Sequence, residues 1–121
     1  MLKKRFTVPL YGYTVRYFEV EDKSDEAEIR SCLKKLRLPD KDIDEIAECV
    51  SDEAKNGGWT LFNPSCKELV VIVLTCVDEK ARRRVVGHEK RHVEDEILRH
   101  CDINDLEAAA YLAGFLSENI F

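Results

Sequence analysis

The sequence predicts a single α+β domain covering residues 1–121, a small, mainly antiparallel sheet with helices packed on one side. Three observations lead there. Residues 5–20 are rich in aromatic and β-branched types, residues 68–75 form the most apolar run in the chain, and two long stretches elsewhere carry apolar residues at helical spacing. Taken in order, the segments read ββααββαα.

The first two strands lie within residues 5–20, joined near Tyr11-Gly12, with Pro9 marking a strand end or an edge. Ser24, followed by Asp25, Glu26 and Glu28, has the form of an N-cap with an acidic first turn. The helix it opens turns Ile29, Cys32, Leu33 and Leu36 inward and stops before Pro39. A second helix starts at Asp40, carries Ile43, Ile46, Val50 and Ala54 on one face, and ends at Asn56-Gly57-Gly58. Trp59–Phe62 is a short strand before a turn at Asn63-Pro64-Ser65. Glu68–Thr75 is apolar enough for a strand buried on both faces. From Asp78 to about His100 the composition is helical; Cys101-Asp102-Ile103 breaks it, and a last helix runs from Asp105 to about Asn119.

At 121 residues the chain buries roughly two-thirds of its unfolded surface, enough for a real core. Hydrophobic residues make up 45% and charged residues 36%, which excludes a disordered chain, and no apolar run reaches the ~20 residues of a bilayer crossing. Met1-Leu2-Lys3-Lys4-Arg5 has no apolar stretch behind it, so a secretory signal is not expected. A net charge of -5 argues against general binding to a phosphate backbone. The five cysteines (Cys32, Cys49, Cys66, Cys76 and Cys101) contain no CxxC pair and read as free thiols of a reducing compartment. The expectation is a cytoplasmic protein that meets a peptide or protein rather than nucleic acid or membrane. Arg82-Arg83-Arg84 occupy one helical turn and point in different directions, so they read as solvated and paired with acids of the first two helices.

One string carries chemistry. His88-Glu89-Lys90-Arg91-His92 matches HExxH, in which residues four apart share a helix face and two imidazoles reach one metal ion. Glu89 then lies where it can take a proton from a water at that ion. Zn2+ suits two imidazoles, a carboxylate and an open position. Lys90, Arg91 and Glu94 are unusual neighbours for a buried helix, while Val85, Val86, Val93 and Ile97 supply an apolar side. The candidate third ligand is Glu107, which shares a face with Ala110, Tyr111 and Gly114; small residues there would let its helix approach closely. Asn104 and Glu107 also have the spacing of a capping box. If the motif helix runs straight to His100, Glu107 is level with about Ile97, and His100, Asp102 or Asp105 replaces it.

His88-Glu89-Lys90-Arg91-His92 followed by Glu107-Ala108-Ala109-Ala110 resembles the gluzincin class of zinc metallopeptidases, above all its smallest members from phages and mobile elements. The resemblance spans about residues 68–116, and only its HExxH portion is specific. It implies a zincin-like fold, with His88, His92 and Glu107 as zinc ligands and Glu89 as general base for peptide hydrolysis. It also implies that Glu68–Thr75 lines the cleft, where a peptide substrate adds to the strand edge. His100 and Tyr111 are the nearby candidates for an oxyanion stabiliser. Larger members close the cleft with a second lobe, so a chain of this length is expected to cleave a single protein partner, to act inside a larger assembly or to have lost activity. The rival reading is a non-catalytic interaction or regulatory module on such a scaffold, with a structural or lost metal. A di-iron bundle would need a second ExxH, which the sequence lacks.

Overall fold

A computed structural model describes residues 1–63, 65–101 and 105–120. The elements are β1 (Leu2–Val8), β2 (Tyr13–Glu19), α1 (Glu26–Lys35), α2 (Asp40–Ser51), β3 (Gly58–Asn63), β4 (Glu68–Val73), α3 (Glu79–His100) and α4 (Leu106–Ile120). The order is the one expected, and the class is α+β. Strand order in the sheet is β1-β2-β4-β3. β1 and β2 form an antiparallel hairpin, β2 and β4 run parallel, and β3 is antiparallel to β4. The sheet is therefore mixed, with one parallel pair at its centre.

The helices do not share one side. Along β4, Leu69, Val71 and Val73 face α3 and α4, whereas Val70, Ile72 and Leu74 face α1 and α2. A strand apolar at every position needs cover on both faces, and the two helix pairs provide it. Two separate cores result. One joins Val15 and Tyr17 to Val86, Val93, Ile97, Leu112 and Leu116; the other joins Phe18 to Ile29, Leu33, Ile43 and Ile46.

Element ends reveal where local chemistry overrode simpler patterns. Ser24 does not cap α1; Asp22 caps a short 3-10 turn, Lys23–Asp25, that leads into it. Asp22 accepts the Ser24 N–H, Asp25 accepts the Asp22 N–H in turn, and a short 3-10 turn precedes the helix. α2 ends at Ser51, ahead of Ala54 and the Asn-Gly-Gly segment. Asp78 caps α3 by accepting the Ala81 N–H at 2.7 Å. Gly12 closes the β1–β2 hairpin at φ 72°, a left-handed conformation that glycine adopts at no steric cost.

The arginine run does not pair with α1 and α2. Arg82 makes a bidentate pair with Glu19 of β2, at 2.6 and 2.9 Å, and Arg82 and Arg83 both reach Glu79. The Arg82–Glu19 contact pins α3 to the sheet. The Arg82 guanidinium holds the Glu19 carboxyl below its ordinary value of 4.5, although burial acts the other way. A lowered carboxylate contributes stability above that value and loses it as pH falls through the folded pKa. Replacing Arg82 by Gln should cost about 1–3 kcal/mol at pH 7. Urea unfolding of both proteins should show the gap closing below pH 4.5.

Candidate metal centre

α3 carries the HExxH string through its middle, and its burial pattern explains the charged neighbours. Val85, Val86, Glu89, Val93 and Ile97 are the buried positions around the motif. Lys90 and Glu94 lie at the margin facing α4, 3.8 Å apart, and Lys90 donates to the Ser117 hydroxyl at 2.7 Å. Burial pushes the Glu94 carboxyl up, and Lys90 pulls it partly back. Arg91 and Asp95 project into solvent. The helix is thus only half covered, which is why it tolerates four charges within and just after the motif.

His88 and His92 stand one turn apart with their Nε2 atoms 3.1 Å from each other and their rings nearly perpendicular. Two imidazole nitrogens on one tetrahedral zinc are roughly 3.3 Å apart, so the pair is set at a chelating bite. Ligand atoms of His88, Glu89 and His92, one from each, fall within 4.8 Å of one another. This is the one such His/Cys/Asp/Glu group among the described residues. The donor set fits a divalent cation that accepts nitrogen and oxygen ligands.

Glu89 is the buried charged residue among those described, 4% exposed, on the wall of the cleft. The Thr60 hydroxyl, from β3, lies 3.3 Å from the Glu89 carboxylate and equally far from its backbone carbonyl. One hydroxyl proton serves only one acceptor at a time, and the carboxylate also lines the cleft. A carboxylate on the cleft wall beside two imidazoles is placed to meet a cation in the cleft.

Gly58 allows α3 to come this close. A Cβ there would sit 2.9 Å from the Ile72 carbonyl oxygen, 3.0 Å from Glu89 Cγ and 3.2 Å from Val85 Cγ1. The cleft between β3 and α3 has a volume of about 610 Å³. Gly58, Trp59 and Thr60 line it from the strand, and Arg84 and Glu96 join the motif residues on the helix side.

The remaining residues expected at the site are placed elsewhere. β4 does not offer the cleft an edge: it is interior, between β2 and β3, and the free edge beside the motif belongs to β3. Glu107 is exposed in the first turn of α4 and outside the ligand group. The Lys90–Ser117 contact sets the register of the α3–α4 hairpin, which places Glu107 level with the end of α3 and about 12 Å along the axis from His92. Its face of α4 is also turned the other way. Ala110, Tyr111 and Gly114 lie outside the packed face, which Leu112, Leu116 and Ile120 make. Three well-spaced large apolar residues outweigh two small ones in deciding which face is buried. Asp105 is exposed and accepts the Glu107 N–H; Asp102 lies outside the described residues. His100 stacks on Phe62, centroids 4.3 Å apart, and contacts Glu96 at 3.0 Å. Neither it nor Tyr111 lines the cleft.

Thr60, Gly58, Arg84 and Glu96 are site residues that sequence reasoning missed. Arg84 and Glu96 were legible in principle, since they continue the His88–His92 stripe at i−4 and i+4. Thr60 and Gly58 were not, because they depend on which strand flanks α3.

Comparison with known proteins finds no family model, no curated protein and no solved structure that matches the chain.

Gly58→Ala should push β3 away from α3. A loss of about 1–3 kcal/mol in urea unfolding is expected, with weaker metal binding than wild type in a zinc titration.

Proposed function

We propose that the chain is a small zinc-dependent metallopeptidase whose cleft lies between β3 and α3. The observation that carries this reading is the His88–His92 pair at chelating distance beside Glu89, which lines the cleft. The likeness of the HExxH string to gluzincins supports the same chemistry. His88 and His92 would hold the ion. Zinc bound there supplies a water whose pKa falls to about 7. Glu89 would accept the water's proton at a carboxylate oxygen as the water oxygen bonds to the scissile carbonyl carbon, and would deliver it to the leaving amine when the C–N bond breaks. Arg84, one turn before His88 on the cleft wall, offers its cation to the developing oxyanion. An extended peptide pairs with the free edge of β3, so main-chain hydrogen bonds hold it across the site.

Glu107 as third ligand finds no support in its distance from the pair. That separation favours a second reading, in which a weakly held metal modulates an interaction module with no hydrolysis.

Elemental analysis after equilibration with zinc at about 10 μM tests the site, and peptide hydrolysis separates the two readings. Peptidase function predicts about one zinc per chain, lost in His92→Ala. It also predicts that Glu89→Gln keeps the metal but loses at least about 100-fold in rate. Glu107→Ala should leave zinc content unchanged. No zinc in the wild type would sink the peptidase reading, and zinc without hydrolysis would leave the interaction module.

A further inference from the structure

The sheet face opposite the metal centre carries a groove of a different character. It lies between β1, β2 and α1, with a volume of about 460 Å³. Four cations line it: Lys3 and Arg5 from β1, Arg16 from β2 and Lys35 from α1. Phe18, Cys32 and Leu36 form its apolar floor. Lys4 contributes only backbone, since its ammonium turns to the other face and donates to the Ile120 carbonyl.

Two carboxylates compensate part of this charge. Glu28 pairs with Lys3, and Glu68 accepts from Arg16 at 3.2 Å. Arg5 and Lys35 have no hydrogen-bond or ion-pair partner among the described residues. Two positive charges are left unmatched in a chain whose net charge is -5.

Strand register sets two of these cations against each other. Arg5 lies directly opposite Arg16 across the β1–β2 ladder, so both guanidinium groups leave the same face side by side. Like charges directly opposite destabilise a sheet. The C-terminal dipole of α1 accounts for Lys35, which sits in its last turn, and Glu68 accounts for Arg16, but no partner among the described residues accounts for Arg5 beside it.

We propose that this groove binds a small organic phosphate. Arg5 and Arg16 present adjacent planar forks to the phosphate oxygens, Lys35 adds a third positive charge from the helix side, and the apolar floor takes the organic group. A volume of this size accommodates a small metabolite-sized ligand. The sheet separates the groove from the His88–His92 cleft, so phosphate binding here is independent of any peptidase activity.

Thermal unfolding and calorimetric titration of the full chain with phenyl phosphate test it, at ionic strength held constant with sodium chloride. The expected result is a saturable rise in Tm and a Kd below about 1 mM, with inorganic phosphate at least about five-fold weaker. Arg5→Gln and Lys35→Gln should each weaken binding about ten-fold. Arg5→Gln should also raise the Tm of the ligand-free protein, because it relieves the like-charge pair. A Tm response matched by sodium chloride alone, or binding undiminished in both variants, would overturn the proposal. Inorganic phosphate binding as tightly as phenyl phosphate would overturn the assignment of an organic ligand. A ligand-free Arg5→Gln protein less stable than wild type would show that Arg5 supports the fold and would remove the argument for a binding role.

Discussion

The candidate site depends on how closely α3 lies against the edge strand β3. Gly58 removes the side chain that would hold them apart, and Thr60 meets Glu89 across the gap. Glu89 is buried because of that approach, and His88 and His92, one residue before and three after, then face the cleft mouth together. A wider spacing would leave Glu89 in water as an ordinary surface carboxylate. The Arg82–Glu19 pair fixes the same helix to β2 two turns earlier, and the α4 core holds its far side. The helix is thus located from three directions, while the face bearing the histidines stays open.

The two faces of the sheet divide the chemistry. One presents nitrogen and carboxylate donors suited to a cation; the other presents arginines and lysines suited to an anion. Apolar residues of β2 and β4 are buried against both faces, so each cluster can carry locally unfavourable electrostatics on a sheet that is stable for other reasons. Arg5 opposite Arg16 is a costly placement that a ligand of opposite sign would relieve, and Glu89 stands ready on the other face beside two imidazoles.

Much of the fold was legible in the sequence. The order of elements follows from periodicity alone, and the unbroken apolar run at residues 69–74 foretold a strand buried on both faces. The same run was nonetheless read with the helices on one side, because helix position relative to a sheet depends on crossover connections that local pattern does not encode. Strand order was hidden for the same reason, and with it the identity of the edge beside the motif. His88, Glu89 and His92 were readable because a helix converts their spacing into proximity. Glu107 illustrates the opposite case: its relation to the motif depends on hairpin register and on which face of α4 packs. Leu112, Leu116 and Ile120 decide that against Ala110 and Gly114.

Everything proposed for the cleft rests on the paired imidazoles forming a metal site at the β3 edge. Crystals of the zinc-equilibrated protein, measured at the zinc absorption edge, put that to the test without reference to any substrate. One anomalous peak is expected about 2.0–2.1 Å from Nε2 of both His88 and His92, with the Glu89 carboxylate beside it and Glu107 remote. A peak at the Glu96–His100 end of α3, or no peak from crystals soaked in saturating zinc, would refute it.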